Sequence, residues 1–297
     1  MNREIRSPIT LPRTLSLLVM VLGLAAGASS PSRVTAGMVV ERIKANVGVP
    51  WLAETVDTFK AGDPDAAVTG IVVTMFPTFK VLQAAAASGK NLIICHEPVF
   101  YDHLDQAADL VRAGDPVLAQ KKAFIEKNGL VVWRFHDHWH ARRPDGILQG
   151  MARAMGWDKI QDAADPKLFH LAPTRLADLA RALEARLGAP VVRVIGKPDL
   201  ALSTVALLPG AEDSFEQMRA LARPDVEAVV IGETREWETV EYARDAVDQG
   251  RPKGLIILGH EPSEEEGMAE CARWLRTFVT EVPVEFIPSG PPYWVVK

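Results

Sequence analysis

The sequence predicts an α/β protein of two similar α/β halves, packed around a candidate metal site at the carboxyl ends of their strands. Three observations support this. Compact β-branched runs alternate with helical stretches from residue 29 onward. One order of elements (strand, helix, glycine-containing turn, strand, His-Glu-Pro) occurs twice, ending at His96 and again at His260. All the histidines except His103 and His170 fall just past apolar runs. Alternation of this kind favours a largely buried sheet.

In the first half, "AGMVVERIKANV" (36–47) has helical spacing, and "AAVTGIVVTMF" (66–76) is a β-branched run stopped by Pro77. "TFKVLQAAAASGK" (78–90) reads as an alanine-rich helix closing at Gly89, before the strand "NLIIC" (91–95). The stretch 105–129 is helical in at least one part, "LVVWRF" (130–135) is a strand, and "DGILQGMARAMGW" (145–157) is a short amphipathic helix. In the second half, "TRLADLARALEARLG" (174–188) is a helix, and "PVVRVIG" (190–196) and "STVALLPG" (203–210) are strands. "SFEQMRALAR" (214–223), "VEAVVIG" (226–232), "EWETVEYARDAVDQG" (236–250) and "GLIILG" (254–259) then read as helix, strand, helix and strand. The best boundary is "DAADPKLFHLAP" (162–173), which separates a half at 29–161 from one at 174–297. Ancient duplication would produce the two matching segments, and so would the shared physics of two βαβ units.

Composition narrows the function classes. At 297 residues, 48% hydrophobic and 24% charged, the chain is an ordinary globular one. A net charge of −5 without a basic stripe gives no reason to expect nucleic acid as a partner. Cys95 and Cys271 cannot build a disulfide framework or a CxxC zinc site, although a single bridge between them stays open. There is no GxSxG elbow, phosphate-binding GxxxxGK[ST] loop or GxGxxG turn after a strand. Cys95 lies within an apolar strand, which argues against a thiol of lowered pKa.

Arg3, Arg6 and Arg13 precede the apolar stretch "LSLLVMVLGLAAGA" (15–28), which ends in Ala26-x-Ala28. Residues 1–28 therefore read as a secretory signal peptide, the apolar stretch falling short of the roughly 20 residues that span a bilayer. The expectation is an exported protein, periplasmic or extracellular, with no stable membrane anchor.

The histidines carry the chemistry. His96 and His260 end the matching strands, and His136, His138 and His140 stand together in "WRFHDHWH". Carboxyl ends of strands are the functional edge of α/β sheets, so the three groups can converge. Divalent transition metals take imidazole and carboxylate from separate elements. Glu264 stands four residues beyond His260, close enough to share a site, while Glu265 and Glu266 suit the positive end of the helix that Pro262 starts. On an extended segment His136, His138 and His140 would share one face. His103 is a candidate outer partner, His170 reads as structural, and Trp133 and Trp139 read as packing.

On these residues, most specifically "NLIICHEPVFY" (91–101) and "GHEPSEEEG" (259–267), the chain resembles the NIF-three-like family over nearly all of its length after the leader. Members of that family are called dinuclear metal-centre hexameric proteins or GTP cyclohydrolase 1 type 2 homologues. The resemblance implies a His-His pair where this chain has His96-Glu97, and a ligating aspartate where it has His140. His260, Glu264 and Gly267 match the final motif. The departures preserve the count of three histidines and two carboxylates, so the resemblance implies that His96, Glu97, His140, His260 and Glu264 ligate metal. It further implies two divalent transition-metal ions per chain (zinc, manganese or iron), a homo-hexamer, and a small-molecule substrate.

The functional expectation is a metal-dependent hydrolase of a small phosphorylated or nucleotide-like substrate. His136 and His138 would move protons or orient that substrate, and Glu233 is a weaker outer candidate. The alternative is a non-catalytic metal-binding or scaffold protein. Glu261 is expected to be only a turn residue.

Overall fold

In a computed structural model of the chain, Met1 and residues 33–296 are described. Apart from Met1, the expected signal peptide lies outside the described residues. From Arg33 the chain forms one compact unit.

The first sheet gathers most of the amino-terminal half. Helix α1 (Ala36–Asn46) starts at Thr35, whose hydroxyl accepts from the Met38 amide. Edge strand β1 (Phe59–Ala61) and strand β2 (Ile71–Thr74) follow, then α2 (Phe79–Ala87), capped by Thr78, and β3 (Leu92–Cys95). The next helical stretch is broken in two, α3 (Ala108–Arg112) and α4 (Pro116–Lys127). Gly114 takes a φ of +61° between them, and Pro116 suits the first turn of α4. Strand β4 (Val131–Arg134), the one-turn helix α5 (Asp137–Ala141) and α6 (Gly146–Met155) complete this half.

The second sheet begins earlier than expected. Strand β5 (Leu168–Arg175) takes the second half of the segment read as a connector, pairing antiparallel with a later strand. Its outer half is exposed, and its register shifts between His170 and Thr174, where Pro173 supplies no amide donor. Only Leu168 and Phe169 carry a strand-like apolar signal, so the pattern was invisible. Helix α7 (Leu176–Leu187), β6 (Arg193–Ile195), β7 (Ala201–Leu208), α8 (Ser214–Ala222) and β8 (Ala228–Ile231) follow. A π-helical turn (Glu236–Val240) leads into α9 (Glu241–Asp248), β9 (Gly254–Ile257), α10 (His260–Leu275) and β10 (Val284–Phe286).

The strand orders are β1-β4-β3-β2-β10 and β5-β7-β8-β9-β6. The cores β2-β3-β4 and β7-β8-β9 are parallel, flanked by antiparallel β1 in one sheet and by β5 and β6 in the other. Strand β10 returns to pair parallel with β2, so the last segment of the chain completes the first sheet. The repeated sequence pattern corresponds to β2-α2-β3 and β8-α9-β9.

Residues alternate across each sheet. Ile71, Val73, Leu92 and Ile94 face a core that also takes in α1, α6, α7 and α10 and the inner face of the second sheet. Val72, Ile93 and Val132 face α2 and α4 on the outside, and Val229, Leu255 and Ile257 face the α8 and α9 side. Both faces of both sheets are thus covered, which is why the strands read as continuous apolar runs. Among the described residues, no helix is long and apolar enough to cross a membrane.

Candidate metal centre

Parallel strands from both sheets deliver side chains to one place. His96 and Glu97 follow β3, His136 follows β4, Glu233 follows β8, and His260 opens α10 just after β9. Glu264 lies one turn into α10, on the same helical face as His260.

Segment 136–140 is not extended. The His140 amide donates to the His136 carbonyl at 3.1 Å, making α5 a helical turn. Its period brings His136 and His140, four residues apart, to one side, with ring centroids 5.0 Å apart. His138 falls on the other side and is fully buried. Its Nδ1 faces Asp57 Oδ2 at 2.6 Å, and its Nε2 accepts from the Leu52 amide at 2.9 Å. Its ring stacks on Trp51 at 3.6 Å. With both nitrogens engaged, His138 has nothing to offer a metal or a substrate, and its expected proton-transfer role has no geometric support. Asp57 ties the turn down, accepting also from the amides of His136, Asp137 and His138.

His96, His136, His140 and His260 share one arrangement. Nδ1 of His96 faces the Phe135 carbonyl at 3.1 Å, that of His136 faces Asp137 at 2.9 Å, that of His140 faces Asp145 at 3.1 Å, and that of His260 faces Glu233 at 3.1 Å. A carbonyl or carboxylate oxygen can only accept, so each Nδ1 donates and each Nε2 is turned inward. The inward nitrogens converge on two glutamates. Glu97 Oε1 lies 3.7 Å from His136 Nε2 and 3.6 Å from His260 Nε2. Glu264 Oε2 lies 3.1 Å from His260 Nε2 and 3.5 Å from His96 Nε2, and its Oε1 lies 3.8 Å from His140 Nε2. Ligand atoms of His96, His136 and His140, and of His96, Glu97 and Glu264, lie within 4.8 Å of one another.

The electrostatics fit a cation. His96 Nε2 is buried without a hydrogen-bond partner. Burial, then the nearby His136 and His140, holds the His96 pKa well below its ordinary value, so a neutral imidazole aims a lone pair at a carboxylate. Burial also opposes charge on His260, but its hydrogen bonds to the Glu233 and Glu264 carboxylates prevail and push its pKa up to about 10. A proton there does in part what a metal would do.

Supporting residues hold the donors in place, the usual outer arrangement of a metal site. Asp145 orients His140 and also caps α6, accepting from the Ile147 amide at 2.7 Å. Fully buried Arg134 donates from Nε to the His96 carbonyl at 2.9 Å, and its guanidinium lies 3.5 Å from Glu97 Oε2. Gly210, at a φ of +66°, lets the backbone lie against the Glu264 carboxylate where any Cβ would collide. Glu261 is buried in the first turn of α10. Burial, with its hydrogen bond to Glu265, raises its pKa to about 9. Glu265 itself accepts from the Ser289 amide. Asp57, Asp145 and Arg134 escaped the sequence reading. Only Asp145 left a signal there, standing before "GILQGMARAMG" as a helix cap.

Other candidates fall outside the cluster. The His103 ring lies 6.4 Å from that of His136, and its carbonyl accepts from Arg134. His170 is exposed beside Asp162. Trp133 and Trp139 are buried packing residues. Both cysteines are free and buried, and burial pushes the Cys95 thiol up to about 12, which leaves no reactive thiolate.

The Duf34/NIF3 (NGG1p interacting factor 3) family model matches residues 41–291. A GTP cyclohydrolase 1 type 2 homolog of Streptomyces coelicolor is 25% identical over 192 residues, which cover 57% of this chain and 65% of that protein. Its counterpart in Clostridium acetobutylicum is 23% identical over 185 residues, with 58% and 66% covered. The matches therefore span a little under two-thirds of each relative. Among solved structures, Staphylococcus aureus protein SA1388 superposes with a TM-score of 0.69 at 17% identity, covering 89% of this chain and 100% of that one. A Bacillus cereus protein related to NIF3 superposes at 0.68 and 13% identity, covering 88% and 99%. These two likenesses concern the fold. With so much of its length matched by one family model, the chain belongs to the Duf34/NIF3 family.

Proposed function

We propose that this protein is a metal-dependent hydrolase of small phosphorylated or nucleotide-like compounds. It holds two divalent transition-metal ions per chain (zinc, manganese or iron) among His96, Glu97, His136, His140, His260 and Glu264. One observation carries the reading: four inward Nε2 atoms meet two glutamates, each histidine already oriented through Nδ1. Six donors shared by two ions leave positions open, unlike a closed four-ligand structural site. Divalent ions held there supply Lewis acidity, which lowers the pKa of water and offsets charge on a phosphoryl oxygen. The chain's own contribution is to fix the donors, with Asp137, Asp145 and Glu233 holding three of the rings. The name shared by the two bacterial relatives supports a nucleotide-like substrate. We propose also that the mature chain is exported and assembles as a homo-oligomer, a hexamer on the family resemblance.

Elemental analysis of native-purified protein is expected to find about two metals per chain, and fewer in Glu97→Ala and His260→Ala. Phosphomonoesters, phosphodiesters and cyclic nucleotides should be hydrolysed in a metal-stimulated manner. Full metal content with no turnover across that panel would leave a non-catalytic metal-binding or scaffold protein.

A further inference from the structure

Beside the metal cluster lies a cleft of about 680 Å³ lined in part by Glu97 and His260. That volume suits a compact organic ligand. Phe76, Phe79, Pro98 and Tyr101 also line the cleft, beside the polar Asp102 and Lys121. A bare phosphate has no apolar surface to bury against these rings, and a short alkyl phosphate has little.

The rings are held before any ligand arrives. Phe76 meets His260 edge to face at 5.6 Å, and Phe79 meets Phe124 at 5.0 Å in the same manner. Tyr101 stays 54% exposed, an aromatic left open to solvent at the cleft. Its loop is strained, since Tyr101, Asp105 and Ala107 all take positive φ without being glycine. Strain at three positions in seven residues persists only where surrounding bonds over-determine it. Asp105 accepts from the Val99 amide at 2.6 Å and the Phe100 amide at 2.9 Å, while Asp102 accepts from Leu104 and Gln106. The Lys121 ammonium donates to the Val99 carbonyl at 2.7 Å and sits 4.9 Å from the Tyr101 ring centroid. The result is a pre-positioned aromatic wall at the mouth of a metal site.

We infer that this cleft binds a flat aromatic or heteroaromatic group, so that the preferred substrate is a phosphoester bearing such a ring. The substrate class rests on the hydrolytic reading above. In the reaction, water adds across a P–O bond: its oxygen bonds to phosphorus, and the ester oxygen leaves with the bonding pair and takes a proton.

Equilibrium binding of 1-naphthylphosphonate and methylphosphonate, neither of which can be hydrolysed, to the metal-loaded protein tests this without turnover. The naphthyl probe is expected to bind about tenfold more tightly or better. Tyr101→Ala should reduce that preference roughly three- to tenfold, with methylphosphonate affinity and metal content unchanged, and Tyr101→Phe should retain it. Phe79→Leu, which keeps bulk but removes the ring, should also reduce it. Equal affinity for the two probes, failure of both to bind at millimolar concentration, or a preference untouched by Tyr101→Ala and Phe79→Leu would overturn the inference. A ring preference that persists in a protein hydrolysing no phosphoester would support the cleft's ligand class and retire the hydrolase reading alone.

Discussion

His96 Nε2 and Glu264 Oε2 lie 3.5 Å apart in a buried position, with no proton on the ring to join them. The His96 proton is spent on the Phe135 carbonyl, and burial disfavours a second. Two lone pairs facing each other out of water are costly, and a cation shared between them reverses the sign of the interaction. The other oxygen of Glu264 faces His140. One carboxylate on α10 therefore addresses donors that follow both β3 and β4.

Divalent metal should therefore stabilise the fold. At 100 times the dissociation constant the gain is about 2.7 kcal/mol. Thermal unfolding in chelator and in added zinc or manganese measures it directly. Glu264→Gln, which keeps the shape but removes the charge, should lose most of the metal-dependent increment.

His136 and His138 should behave oppositely, although one residue separates them. His136→Ala removes an inward donor and should lower metal affinity by roughly tenfold or more, with little change in chelator-treated stability. His138→Ala removes a buried ring and leaves Asp57 short of a partner, costing on the order of 3 kcal/mol while metal content per folded chain is kept. Metal analysis paired with urea unfolding separates the two effects.

Asp145→Asn tests the orienting role. The amide oxygen can still cap α6, so stability should change by less than about 1 kcal/mol. The His140 ring loses its carboxylate, and metal affinity should fall about 10- to 100-fold. An unchanged affinity would show that His140 contributes nothing through Nδ1.

Lys121 should leave a mark on the pH profile of stability. Burial, opposed by Cys95 and Asp105, lowers its pKa from 10.5 to about 8. Between those values the unfolded chain binds the extra proton, so this lysine makes stability rise as pH climbs from about 8 to 10.5. Below about 8 both states are protonated and the contribution is flat. Lys121→Met should lose a rise on the order of 2–3 kcal/mol across that window, read as the difference between the two urea-unfolding profiles.

Most of the fold was legible because its central strands are covered on both faces. Ile71–Thr74, Leu92–Cys95, Ala228–Ile231 and Gly254–Ile257 are continuous buried runs, and their helices carry ordinary caps such as Thr78 and Asp145. Strands β5 and β10 were illegible for the opposite reason. They sit at sheet edges, half exposed, and owe their existence to partners at β7 and β2.

The convergence of His96, His260 and Glu264 could be anticipated from local pattern, since strand ends in an α/β sheet face one way, whereas Glu97 entered only through the family resemblance. Local pattern also placed the duplicated His-Glu-Pro turns and identified a segment rich in histidine after β4. It could not say which of those histidines point inward. That depends on whether residues 136–140 form a helical turn, and Asp57, some eighty residues earlier, binds that turn's amides. Nor could pattern assign ring protons, because Glu233, Asp145 and the Phe135 carbonyl set them from neighbouring elements. A histidine's chemistry belongs to whatever its second nitrogen touches, and only packing brings that partner within 3 Å or so.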